Sequence, residues 1–198
     1  MKSAVLWSLI ILSFLSCKDG SVLVPKPRTY PRIEFPEKTY VPFGKPECPF
    51  QMRIPEYGVY LQDSLKTEHE KGFDCWFDLY YNTLNTYIHF SYVAFNTRDH
   101  FDELVVDAFE MADKHNVKAS YRDEMRLFFP DKKVYGLLFE IDGPVASPIQ
   151  FFLTDSTTHF LRGSLYFKDV VNRDSIQPVF EFVKEDLEVF FESFTWKG

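Results

Sequence analysis

Residues 133–168 read KVYGLLFEIDGPVASPIQFFLTDSTTHFLRGSLYFK, and apolar alternation restarts twice within them. Successive side chains of a strand point to opposite faces. Tyr135, Leu137, Phe139 and Ile141 therefore share one face, and Val134, Gly136, Leu138 and Glu140 the other. After Gly143-Pro144 a second strand runs from Ile149 to Thr154. After the polar turn Asp155-Ser156-Thr157-Thr158 a third runs from Phe160 to Phe167. In the third, Leu161, Gly163, Leu165 and Phe167 lie on one face, and Phe160, Arg162, Ser164 and Tyr166 on the other. Alternation bounded by Gly, Pro, Asp and Ser is the signal of consecutive antiparallel strands. Both faces carry aromatics, so the sheet is expected to be covered mainly on one face and partly on the other.

The rest of the chain supplies what would cover it. Phe50, Met52 and Ile54 alternate in a short strand ended by Pro55, and Tyr57 to Tyr60 is read as another. Asp74–Tyr81 and Tyr87–Phe95 form a hairpin about Asn82–Asn85. It places Cys75, Phe77, Leu79 and Tyr81 beside Ile88, Phe90, Tyr92 and Ala94, with His89 on the opposite, exposed face. Asp99–His115 carries Phe101, Leu104, Val105, Ala108 and Ala112 on one helical stripe, with Asn96 or Thr97 as cap. Val117–Arg122 and Met125–Phe129 follow as two strand segments. A last helix is expected from Ile176 to Phe194, capped by Asp174 or Ser175, with Pro178 in its first turn. Its buried stripe is Phe180, Val183, Leu187, Phe190, Phe191 and Phe194; Glu181, Lys184, Glu185, Glu188 and Glu192 are its solvated face. The expected class is α+β, a mainly antiparallel sheet covered by two long helices. This order resembles the PsbP-like α/β/α sandwich, a likeness of fold that carries no activity.

At 198 residues, 45% hydrophobic and 18% aromatic, the chain can bury one core. Its net charge of −7, without a Lys/Arg cluster, argues against nucleic acid and against electrostatic binding to anionic lipid.

The first residues, MKSAVLWSLIILSFLSC, put one Lys before about a dozen mostly apolar residues, too few to span a bilayer comfortably. Ser16-Cys17 resembles a bacterial lipoprotein cleavage site, although Phe14 stands where such signals usually have Leu. Residues 1–16 are then a signal peptide and Cys17 the acylated first residue of the mature chain; the alternative is an uncleaved anchor. Several acyl chains, at about 0.8 kcal/mol per buried methylene, hold a domain firmly to a membrane. Lys18 follows the cysteine where an inner-membrane retention signal has Asp, which favours the periplasmic face of the outer membrane. From Pro25 to Pro55 lie Pro25, Pro27, Pro31, Pro36, Pro42, Pro46, Pro49 and Pro55, so residues 17–47 are read as an extended proline-rich arm and 48–198 as the globular domain. Tyr30, Ile33, Phe35, Tyr40 and Phe43 in that arm either pack on the domain or form a docking strip.

With Cys17 acylated, Cys48 and Cys75 remain. In an oxidising compartment they are a disulfide candidate that would brace the arm against the hairpin; two buried thiols are the alternative. The histidines, at 69, 89, 100, 115 and 159, show no metal-ligand spacing, and no phosphate loop or nucleophile elbow is present, so neither metal nor cofactor is expected. The densest polar cluster is Asp155, Ser156, Thr157, Thr158, His159 and Arg162. Its plain reading is a hydrogen-bonded turn. A second reading makes Asp155, His159, Arg162 and Tyr166 a partner-binding strip, with Arg162 as anchor. A third places a nucleophilic set on Ser156, His159 and Asp155, against which stands the rarity of triads built from neighbours in one turn.

The runs VYGLLFEIDGPVAS, QFFLTDSTTHFLRGSLYF and FESFTWKG, with PKPRTYPRIEFP near the start, resemble the gliding motility lipoprotein GldD family over nearly the whole chain. That resemblance implies a non-enzymatic envelope protein required for surface motility and for type IX protein secretion. Its partners would be other envelope proteins of that apparatus. A periplasmic domain that binds a small ligand or lipid between sheet and helix is the alternative, and a hydrolase on Ser156 and His159 a third.

Overall fold

The computed structural model describes residues 32–62, 73–116, 119–168 and 173–197. The signal segment, Cys17, the first half of the arm, the stretch 63–72 and the start of the expected strand at Val117 lie outside them. Ten strands and two α-helices are described: β1 Tyr40–Phe43, β2 Phe50–Pro55, β3 Val59–Gln62, β4 Phe77–Tyr81, β5 Thr86–Ala94, α1 Arg98–Asn116, β6 Tyr121–Phe129, β7 Val134–Asp142, β8 Ile149–Thr154, β9 His159–Phe167, α2 Arg173–Ser193 and β10 Thr195–Trp196. Seven strands make one antiparallel sheet in the order β3-β4-β5-β9-β8-β7-β6; β1-β2-β10 make a second, smaller one.

The three consecutive strands β7, β8 and β9 form the sheet's interior half, in the register that the alternation demands. Leu137 faces Phe152 across β7–β8, and Phe152 faces Arg162 across β8–β9. β8 is buried along its whole length. The period of two then divides the core. Val134, Leu138, Phe151, Leu153, Leu161 and Leu165 look toward α2 and the small sheet, with Phe180, Val183, Leu187, Phe190, Phe191 and Phe194 above them. Phe139, Ile141, Phe152 and Phe160 look the other way, onto Ala108, Ala112, Phe101, Leu104 and Val105 of α1. At Gly163 the missing side chain is a packing requirement, because a Cβ would run into the Phe151 ring.

The two faces are not covered alike. Among the described residues, α2 and the small sheet close the first face across its width, whereas α1 packs over β7, β8 and the start of β9 on the second and leaves β3, β4 and most of β5 uncovered. The structure is thus sheet-dominated, with one face roofed by a helix and a small sheet and the other only half roofed, rather than a sheet lying between two long helices.

Several boundaries move from their sequence reading. β6 is one strand of nine residues, because Asp123 and Glu124, which interrupt the apolar pattern, sit on a sheet edge where charge stays in water. β3 starts at Val59. α2 begins at Arg173, so Ser175 lies inside the helix and Pro178 stands past its first turn. α1 is capped by the Thr97 hydroxyl, which accepts the His100 N–H at 3.2 Å. The last part of the arm belongs to the folded body: β1 pairs with β2, Phe35 stacks on Phe182 of α2 at 4.7 Å, and Ile33 and Phe43 pack against the core. Cys48 and Cys75 are joined in a disulfide, with Cα atoms 5.5 Å apart.

Candidate interaction surface

Two polar constellations stand out, and the sequence reading contained only one of them. The first is built around Asp186, whose side chain is 1% exposed although it lies on α2 between charged residues. Its Oδ1 accepts Lys38 Nζ at 2.9 Å, the Tyr40 hydroxyl at 2.8 Å and the Tyr57 hydroxyl at 2.7 Å. Lys38 also donates to the Phe182 carbonyl at 2.6 Å and lies 3.0 Å from Glu185. A buried carboxylate is tolerable only when its lone pairs are filled by charged or hydroxyl donors. Burial first, and the Asp186 carboxylate second, push the Tyr40 and Tyr57 hydroxyls well above the ordinary phenol range, so both stay protonated as donors. Fully buried Tyr81 has its pKa raised in the same way, by burial first and the Asp186 charge second. The function of this knot is readable from what it joins. Lys38 and Tyr40 come from the arm, Tyr57 from the turn after β2, and Asp186 from the last helix.

The second constellation is the sequence-proposed strip, which the structure distributes over three places. Asp155 organises the β8–β9 turn. Its carboxylate accepts the N–H groups of Thr157, Thr158 and His159 at 3.0, 2.8 and 2.8 Å and the Thr157 hydroxyl at 2.6 Å. Burial opposes ionisation, but these four donors outweigh it and hold the carboxyl down to about 2. His159 turns to the α2 side, where Nδ1 meets the Tyr92 hydroxyl at 2.8 Å and the ring stacks 5.1 Å from Trp196. The nucleophilic set therefore does not assemble. The His159 ring pairs with Tyr92, Asp155 is occupied by its turn, and exposed Ser156 has its N–H on Thr154 Oγ1 at a φ of 65°.

Arg162 and Tyr166 stand together on the opposite face of β9. Tyr166 stacks on Tyr87 at 5.4 Å. Next along the face, His89 Nδ1 meets Asp78 at 2.6 Å, a pairing across β4–β5 that makes His89 half-buried rather than exposed. Lys168 Nζ lies 4.1 Å over the Tyr80 ring. Val59 and Leu61 of β3, 45% and 46% exposed, close the edge. Arg162 is half-buried, and among the described residues it makes no ion pair or hydrogen bond. Burial lowers the pKa of its guanidinium; the charges of Tyr166 and Asp107 oppose that from outside bonding distance. Its neighbours on that face are aromatic planes and short polar side chains, among them Ser91 and Phe152 in register with it.

Elsewhere, a groove of about 430 Å3 runs along the solvent side of the small sheet, lined by Pro42, Phe43, Gly44, Gln51, Met52, Arg53 and Ser193. It opens on β1 and β2, not between the large sheet and α2 where a lipid-binding cleft was expected. Among the described residues there is no metal-binding group of His, Cys, Asp or Glu, and no helix long and apolar enough to cross a membrane.

Among curated proteins nothing matches the chain. Among solved structures it is similar to cyanobacterial PsbP (CyanoP) from Synechocystis sp. PCC 6803. That chain is 9% identical, with 80% of this chain and 93% of that one covered, at a TM-score of 0.49. The family model described as gliding motility lipoprotein GldD matches residues 20–196. The chain therefore belongs to the gliding motility lipoprotein GldD family.

Proposed function

We propose that this chain is a non-enzymatic, lipid-anchored docking component of the gliding apparatus and of the associated type IX secretion machinery, held by Cys17 on the periplasmic face of the outer membrane. The observation that carries the docking role is half-buried Arg162, which makes no ion pair or hydrogen bond among the described residues and lies on the same sheet face as the Tyr87–Tyr166 stack. An enzyme's charged groups would be expected to converge on one reacting point. Here Asp155, His159 and Arg162 are directed to three different places, and the first two are occupied by structural bonds. The family supplies the association with gliding motility. The Asp186 knot and the disulfide fix the last part of the arm to the body, so the tether and the docking face belong to one unit.

The test is complementation of a deletion strain. Arg162→Met with Tyr166→Ala should abolish colony spreading and reduce type IX export while protein abundance stays normal. Full motility and export with that double variant would remove the docking face from the account. Cys17→Ala should shift the protein from the membrane to the soluble fraction; retention in the membrane would refute the anchor.

A further inference from the structure

We infer that β6 is the pairing edge of a homodimer, in which two copies of this chain align Tyr121–Phe129 antiparallel about Met125. The surface is separate from the Arg162 face and does not depend on its role. β6 is the outer strand of the seven-stranded sheet, paired only with β7 among the described residues. Edge strands are ordinarily short or blunted by charged side chains, Pro or bulges; β6 carries Arg122, Asp123, Glu124 and Arg126, two of each sign, which a second copy can match. This one is nine residues long, contains neither Lys nor Pro, and exposes Tyr121 at 64%, Met125 at 50% and Phe128 at 67%. The opposite edge, β3, has four residues.

The occupant is indicated by the sequence of the edge itself. When YRDEMRLFF is set against a second copy with Met125 opposite Met125, Glu124 faces Arg126 of the second copy, and Arg126 faces its Glu124. On that same face Phe128 comes opposite Arg122, which within its own chain already pairs with Asp113 and, at 2.8 Å, with Glu124. On the other face Tyr121 meets Phe129. Exposed Arg126 has no ion pair among the described residues, so the pairing would provide its counter-charge. The backbone phase also agrees. The Glu124 N–H is given to the Asp123 carboxylate at 2.9 Å, so even-numbered residues direct their donors to the free edge. Residues 124 and 126 then form hydrogen-bonded pairs, and Met125 sits opposite itself in a non-hydrogen-bonded pair with Cα atoms about 4.5 Å apart. Antiparallel pairing of this kind has closed two-fold symmetry, so the assembly stops at two.

Two experiments test this on the full chain. Met125→Cys, oxidised in intact cells, should give a disulfide-linked band at twice the monomer mass, since the expected Cα separation suits a disulfide. Asp123→Cys should give none, because its two copies lie four residues out of step, roughly 13 Å along the strand. Equal bands at both positions, no band at either, or capture of a different protein by Met125→Cys would each overturn self-pairing. Should the new cysteine pair with Cys48 or Cys75, charge reversal decides. Glu124→Arg and Arg126→Glu should each be monomeric in detergent at concentrations where the native chain is dimeric. Mixed one to one, they should form a heterodimer, because each then offers the charge the other lacks. Dimers persisting in both single variants, or no heterodimer on mixing, would contradict the register.

Discussion

Asp186 is a buried carboxylate and Arg162 a half-buried guanidinium, and they are treated in opposite ways. Asp186, on the last helix, is enclosed by one ammonium and two phenols drawn from the arm and a turn. Arg162 lies on the central strand β9, with aromatic neighbours and no bonded anion. Paying for desolvation inside the chain produces a fastener, and Asp186 fastens the Lys38–Tyr40 stretch to the domain. A half-buried cation left unpaired gains no such bond within the described chain and stays open to an anion from another molecule. The contrast separates a structural site from the site proposed for docking without reference to any catalytic motif.

The largest effect should come from the fastened side. Replacing both Cys48 and Cys75 by Ala removes a constraint across 27 residues, worth about 3.5 kcal/mol in the chain-entropy treatment, and a thermal melt of the double variant should fall accordingly. A melt unchanged by the double substitution, or by reductant, would show that the disulfide does not brace this segment. Asp186→Ala should cost about 3 kcal/mol, since it leaves an ammonium and two hydroxyls with one shared acceptor gone. Chemical denaturation measures it. A loss under about 1 kcal/mol would mean that the knot is not a fastener.

The turn acid comes next. The Asp155 carboxyl is held at about 2 against 3.8, so the folded state binds its proton less readily than the unfolded chain does. Its contribution is therefore present above about pH 4 and is lost as pH falls toward 2. Discounted for partial exposure, it is about 1 kcal/mol, and the acid limb of the native stability curve should be steeper than that of Asp155→Asn. Superimposable limbs would remove the turn's hydrogen bonds from the energetics. The smallest expected change is at Arg162. Arg162→Met should alter stability by less than about 1 kcal/mol, or raise it, because a half-buried cation without an ion pair among the described residues is replaced by an apolar chain of similar length.

Much of this fold was legible in local pattern. The period of two placed Leu137 and Phe139 on one face and Val134 and Leu138 on the other, and they pack on opposite sides of the sheet. The helical stripe placed Phe180, Val183 and Leu187 in the core, where all three are buried. Edge strand β6 was split in the sequence reading because alternation informs only where one face is buried, and there both faces meet water. Asp186 was illegible for a different reason. Its partners Lys38, Tyr40 and Tyr57 lie 148, 146 and 129 residues away, beyond any periodicity. One signal existed: 186 is three residues after Val183 and four before Phe190, so the carboxylate falls on the apolar stripe. In the strip at 155–166, sequence proximity suggested one surface. The alternation of β9 separates it, because odd-numbered His159 and even-numbered Arg162 and Tyr166 face opposite sides.

The measurement that tests the docking claim most directly is chemical cross-linking of the tagged, lipidated protein in intact cells, with recovery and mass spectrometry, for the native chain beside Arg162→Met. The account predicts stoichiometric recovery of gliding or secretion envelope proteins with the native chain and their loss with the variant, both proteins being equally abundant and equally stable. Recovery of the same envelope proteins in undiminished yield by Arg162→Met, or of no envelope protein by the native chain, would contradict it.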